Sequence, residues 1–321
     1  MHIGSNDMSR HKNFALVSGL LRDELEFKCT FKRLLELREA QVISGIVLST
    51  WEGELDKYCG FKTQLLDHGV SIVEGRMPPP SWGNTWAQTK ALDQALRIIP
   101  DDAMVLKLRT DRTSHLLKAF LPLLETGPVA ATNFGALEPI FSHKIHALAV
   151  VASLPFYAAD TAYYGLKSDL ENLVRYDSRF DAIFHGFGPE YRLWTQPFHD
   201  KFPELGSVYE KINPRGLSTL LVEAAQRNLS IPDAIIHLYT FYWANLYNNI
   251  SIVDKHPYSG ESVGINQTLS GSSSGIRTGF VGSQTFSVKV AVFNNQDVLR
   301  RLMTNSNIGS CINGEKFAEY K

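Results

Sequence analysis

Within residues 14–109 short apolar runs alternate with stretches of helical periodicity, and nothing else in the chain restricts its fold as tightly. Phe14–Val17 is an unbroken apolar run ending in Ser18-Gly19, the pattern of a strand buried on both faces of a parallel sheet. From Asp23 to Ala40, Phe27, Phe31, Leu34 and Leu35 recur at helical spacing with charged residues between them. Val42–Leu48 and Val70–Val73 read as further strands, the second followed by the stiff turn Pro78-Pro79-Pro80. Trp86–Ile99 then carries an apolar stripe through Trp86, Ala91, Leu92, Ala95, Leu96 and Ile99, and Pro100 stops it. Met104–Arg109 is the fourth strand, running into Thr110-Asp111-Arg112-Thr113. This order predicts an α/β fold: a Rossmann-like, mostly parallel open sheet flanked by helices. Right-handed crossovers bring the carboxyl ends of such strands to one edge, where ligands bind. Here that edge collects Ser18, Gly19 and Arg22, then Thr50 and Trp51, then Arg109 and Asp111.

The rest of the chain is less regular. A polar tail covers residues 1–13, and the boundary between two halves is expected near 127/128. In the second half Val129–Thr132 reads as a strand, Leu166–Val174 and Gly216–Arg227 as helices, and Phe286–Phe293 as a late strand. Ser270–Gly275 is a flexible Ser/Gly loop. Composition removes several function classes. With 32 Lys+Arg against 33 Asp+Glu, the chain lacks the basic excess of a nucleic-acid binder. Three cysteines without CxxC spacing give neither a disulfide framework nor a cysteine zinc site, and point to a reducing compartment. The longest apolar stretch, Ala147–Leu154, is too short to span a bilayer, and the first ten residues are polar. A cytoplasmic protein is expected on these grounds.

Motifs narrow the chemistry further. There is no GxGxxG after the first strand, no GxxxxGK[ST], no GxSxG and no HExxH. What remains is Val105-Leu-Lys107-Leu-Arg109-Thr-Asp111. Side chains alternate along a strand, so Lys107, Arg109 and Asp111 share one face. Two cations and a carboxylate at the carboxyl end of a central strand suit a diphosphate, with or without a divalent metal. The same residues also suit an Arg–Asp pair that closes the strand end.

The run of Ser49-Thr50-Trp51, of Asn84 with Gln88 and of Val105–Asp111 resembles nucleotide-sugar glycosyltransferases of GT-A architecture. More narrowly, it is similar to the WavE-type lipopolysaccharide and capsule synthesis family. Phe156–Asp169 and Gly188-Pro189-Glu190-Tyr191 fit as well, so the likeness spans about residues 14–195. The resemblance implies a nucleotide-sugar-binding half over 14–127 and an acceptor-binding half over 128–321. It implies that Ser18, Gly19, Arg22, Thr50 and Trp51 meet the base and ribose. Asn84 and Gln88, four apart on a helix, would face the nucleotide; an N-cap role is the alternative for Asn84. Lys107, Arg109 and Asp111 would hold the diphosphate.

GT-A enzymes commonly carry Asp-x-Asp, where this chain has Arg109-Thr110-Asp111. Either Mn2+ or Mg2+ binds through Asp111, with His256 completing its shell, or Arg109 and Arg112 neutralise the diphosphate without metal. Proton transfer from the acceptor needs a carboxylate. Asp160, set among Phe156, Tyr157, Tyr163 and Tyr164, is one choice, since apolar surroundings raise a carboxyl's basicity. Glu190 is the other. The implied partners are a nucleotide sugar and a saccharide or glycolipid acceptor, with no nucleic acid and with peripheral association at the cytoplasmic face of the inner membrane. The alternatives are a non-catalytic carbohydrate- or nucleotide-binding protein on the same scaffold and, less well supported, a sugar nucleotidyltransferase, which lacks its Gly-rich signature here.

Overall fold

A computed structural model describes residues 11–79, 84–111, 113–134, 137–148, 150, 155–175, 177–178, 188–201, 216–217 and 233–253, together with three strands beyond residue 264. The chain enters through β1 (Asn13–Ser18) and continues into α1 (Glu24–Glu39), β2 (Gly45–Trp51), α2 (Phe61–Asp67), β3 (Ser71–Gly75), α3 (Thr85–Leu96) and β4 (Met104–Arg109). After a one-turn helix α4 (Leu117–Phe120) come β5 (Ile145–Ala147), β6 (Ala162–Leu166), α5 (Lys167–Leu173), α6 (Pro189–Lys201), α7 (Asp233–Asn249) and β7 (Ile250–Ile252). These strands form one seven-stranded sheet in the order β3-β2-β1-β4-β6-β5-β7. β1 to β4 are mutually parallel, as their continuous apolar sequences require, and so are β5 and β7. β6 alone runs backwards, antiparallel to both β4 and β5.

Alternation along the strands sends side chains to two cores. Leu16, Val47, Val105 and Tyr163 pack against Leu92 and Leu96 of α3, Leu193 and Trp194 of α6, and Tyr242 of α7. Ala15, Val17, Leu48, Leu106, Leu108 and Tyr164 face the other way, onto Phe27, Phe31 and Leu34 of α1 and Phe120 of α4. Asp23 starts α1 by accepting from the Glu26 amide at 3.0 Å, with Glu24 and Glu26 in the first turn favoured by the helix dipole.

Two expectations about elements change. β2 begins at Gly45 rather than Val42, because the Val42 and Ile43 amides both turn back to the Leu37 carbonyl after α1 and Gln41 adopts a left-handed φ of 58°. β2 then continues through Trp51. Val129–Thr132 makes only one bridge, Ala130 to His143, instead of a strand. The Thr132 amide is taken by the Asn248 carbonyl and the Phe134 amide by the Asn248 side chain, so the end of α7 pulls the backbone out of any ladder. Beyond the sheet, Ile265–Leu269, Ile276–Ser283 and Phe286–Phe293 (β8 to β10) form a three-stranded antiparallel sheet in which the expected late strand is β10. The helix expected over Gly216–Arg227 is described only at its first two residues, and Ser270–Gly275 lies outside the described residues. Among the described residues no helix is long and apolar enough to cross a membrane.

Candidate functional site

The cleft of about 250 Å³ at the carboxyl ends of β1, β2 and β4 is built on a loop with little freedom. Leaving β1, Gly19 donates its amide to the Ser49 carbonyl at 3.1 Å and takes a φ of 132°, open to glycine and strained for other residues. Its carbonyl accepts from the Thr50 hydroxyl at 3.0 Å. The next carbonyl, Leu20, accepts from Thr110; the Leu21 amide donates to Glu54 and its carbonyl accepts from Tyr58. Side chains from β2, from the segment after it and from the end of β4 thus fix the loop that carries Arg22. A site held by such second contacts keeps its geometry before any ligand arrives.

The floor of the cleft is charged. Lys107 is buried in mid-strand on the same face as Val105, and its ammonium donates to the Asp160 carbonyl and lies 5.0 Å from the centre of the Tyr163 ring. Burial pushes Lys107 down to about 8, against the pull of Asp160. Arg109, one step along the same face, forms a two-pronged pair with Asp111: Nε to Oδ1 at 2.8 Å and Nη2 to Oδ2 at 3.1 Å. Its Nη1 lies 3.5 Å from Oδ1 of Asp160. Burial works against the Arg109 charge, but Asp160, Asp111 and Glu190 outweigh it and raise its basicity. Asp160 reaches this edge because β6 is antiparallel. Leu108 pairs with Ala162, so the residue two positions before Ala162 emerges where β4 ends.

Ten of the residues singled out in the sequence line this one cleft: Ser18, Gly19, Arg22, Trp51, Asn84, Gln88, Lys107, Arg109, Asp111 and Asp160. Arg22 is exposed at the rim, whereas Trp51 is only 4% exposed and forms wall and core together. Asn84 stands at the N-cap position of α3 in a left-handed conformation, and its side chain makes no capping hydrogen bond. Gln88 follows one turn later. Thr50 does not line the cleft. It is fully buried behind the wall, its hydroxyl committed to Gly19. Glu190 is half-buried in the first turn of α6, close enough to act on the charges of both Lys107 and Arg109. His256 and Arg112 lie outside the described residues. The apolar setting expected for Asp160 is corrected: its neighbours include aromatic rings, but its carboxylate faces a guanidinium. Sequence reading passed over Thr110, Glu54 and Tyr58, whose hydrogen bonds brace the loop. Thr110 sits inside the Arg-Thr-Asp triplet, which was the one available signal.

A divalent metal does not fit these residues as they stand. Both carboxylate oxygens of Asp111 already accept from Arg109, and Asp160 faces the same guanidinium. Among the described residues no three His, Cys, Asp or Glu side chains come together as a ligand set.

No family model and no curated protein matches the chain. Among solved structures, glucosyl-3-phosphoglycerate synthase from Mycobacterium tuberculosis, in complex with Mn2+, UDP and phosphoglyceric acid, is 12% identical with a TM-score of 0.37, over 91% of this chain and 92% of that one. The same synthase with UDP is 12% identical with a TM-score of 0.34, over 82% and 85%. A Bacillus anthracis structure assigned as a glucose-1-phosphate thymidylyltransferase, with sucrose bound, is 10% identical with a TM-score of 0.33, over 63% and 96%. Likenesses this distant carry no conclusion about reaction or ligand, which rest on the residues themselves.

Proposed function

We propose that this chain is a GT-A-type glycosyltransferase that moves a sugar from a nucleotide-sugar donor to a saccharide or glycolipid acceptor. Bacterial surface polysaccharide synthesis, of lipopolysaccharide or capsule, at the cytoplasmic face of the inner membrane is the setting that the family resemblance suggests. One observation carries the reading: Lys107 and Arg109 stand together at the carboxyl edge of the sheet, in a cleft that Asp160 also lines. The two cations meet the diphosphate, and the braced loop of Gly19 to Arg22, with Trp51, receives the base and ribose. Asn84 and Gln88 hydrogen-bond the nucleotide from α3.

In the transfer the acceptor oxygen bonds to the anomeric carbon while the bond from that carbon to the diphosphate breaks. The departing electron pair stays on a phosphate oxygen, where Lys107 and Arg109 neutralise it. The acceptor proton passes to Asp160 or Glu190. A non-catalytic binding protein is the second reading, favoured by the engagement of both Asp111 and Asp160 with Arg109.

Both readings are tested by offering the purified protein UDP-, GDP-, CMP- and dTDP-linked sugars, with Mn2+, with Mg2+ and without either. A glycosyltransferase binds one donor and slowly hydrolyses it, and Asp160→Asn or Glu190→Gln lowers turnover far more than it weakens binding. Binding without turnover favours the second reading. Neither binding nor hydrolysis across the panel contradicts both.

A further inference from the structure

The Arg109–Asp111 pair has a consequence for how a diphosphate is held. A guanidinium carries five N–H donors in a rigid fork. Two of Arg109's donors, one on Nε and one on Nη2, are spent on Asp111. The remaining three lie on Nη1 and Nη2, on a cation that lines the cleft, with Nη1 also 3.5 Å from Oδ1 of Asp160. Asp111 therefore sets the plane of the fork and leaves an edge with the spacing of two phosphate oxygens.

The charge balance points the same way. Lys107 and Arg109 already offset Asp111 and Asp160, and Arg22 adds a further cation at the rim. Even with nearby Glu190 counted, no net negative charge remains among the described residues at the cleft to draw in a divalent cation. One seated against Asp111 would stand within a few ångströms of Arg109, where like charges repel strongly in a partly buried site. A diphosphate needs no such displacement, because it is attracted to the cations where they are.

We propose that Arg109, braced by Asp111 and Asp160, takes the place of a divalent cation, so that the cleft binds the diphosphate of its nucleotide donor without metal. Asp111 is then a positioning residue for the guanidinium rather than a metal ligand. This rests on the nucleotide-sugar reading above and specifies how that site works.

Calorimetric titration with UDP, GDP and dTDP separates the two. The wild-type protein is measured in EDTA and then with Mn2+ or Mg2+ in excess. At least one nucleotide is expected to bind in EDTA with a Kd within about threefold of its value with metal, a difference too small to reflect a lost bridging ion. Arg109→Lys, which keeps the charge and loses the fork, is expected to weaken binding in EDTA by about tenfold or more. Asp111→Asn, shown by its melting temperature to be folded, should weaken it several-fold by releasing the guanidinium. Wild-type binding that appears only with metal overturns the inference and leaves the nucleotide reading standing. Unchanged affinity in EDTA for Arg109→Lys or Asp111→Asn overturns it too. Failure of every nucleotide to bind, with and without metal, removes the nucleotide reading itself.

Discussion

Leu106 and Leu108 lie on one face of β4 and Lys107 and Arg109 on the other, four consecutive residues of one strand facing two different environments. The leucine face is closed by Phe27, Phe31 and Phe120, with Phe27 edge-on to both Phe31 and Phe61. It gains stability from apolar area and from packing. The lysine face holds a buried ammonium. It also holds the Tyr163 hydroxyl and the Trp194 ring nitrogen, which have no hydrogen-bond partner among the described residues. Each of these lowers stability. Val105, earlier on the same face, still packs in the apolar core, so the costly part is the carboxyl end of the strand, where the proposed binding cleft lies.

The contrast breaks most directly at Phe27. Phe27→Ala should cost about 3–5 kcal/mol in urea unfolding, the usual penalty for an emptied aromatic site. The affinity of the folded fraction for nucleotide should be unchanged; a parallel loss of affinity would mean that the two faces are not separate. Lys107→Met tests the other side. A shift from 10.5 to about 8 means that the buried charge costs about 3 kcal/mol near neutral pH. The variant should therefore melt no lower than the wild type while losing most of its affinity for nucleoside diphosphates. A clearly lower melting temperature would show instead that the ammonium holds Asp160 and Asp111 in place.

The same group ties stability and binding to pH in opposite senses. Between about pH 8 and 10.5 the native state has released the Lys107 proton while the unfolded chain still holds it, so wild-type stability gains from this group as pH rises. Over the same window diphosphate affinity should fall, because the bound anion needs the ammonium. Lys107→Met should lose both dependences, and persistence of either in thermal-shift or calorimetric series would assign it to another group. The smallest expected effect is at Thr50→Val, which removes the bond to the Gly19 carbonyl. It should cost about 1 kcal/mol in stability and weaken nucleotide binding a few-fold at most.

Much of the scaffold was legible because the physics of parallel strands is written locally. A short, unbroken apolar run such as Phe14–Val17, closed by Ser18-Gly19, buries both of its faces most simply as a strand inside a covered sheet. The two-residue period along β4 likewise put Lys107 and Arg109 on one face without any tertiary knowledge. The position of Asp160 was not legible in that way. It depends on β6 running against β4, and strand direction is a property of the connection rather than of the run itself. Spacing set Arg109 and Asp111 on one side, but side-chain orientation decided whether the carboxylate faced the cleft or the guanidinium. Val129–Thr132 reads as a strand by itself; the Tyr247 and Asn248 carbonyls, which accept from the Thr132 hydroxyl and amide, stand more than a hundred residues away.

The central claim is physical contact between an activated donor's phosphates and the end of β4. A crystal structure with a bound nucleoside diphosphate tests it at once. The account predicts phosphate oxygens within hydrogen-bonding distance of the Arg109 guanidinium and the Lys107 ammonium, with the base lying toward Trp51 and the Gly19 loop. Phosphates bound elsewhere on the molecule, with the Arg109–Asp111 pair untouched, would contradict it.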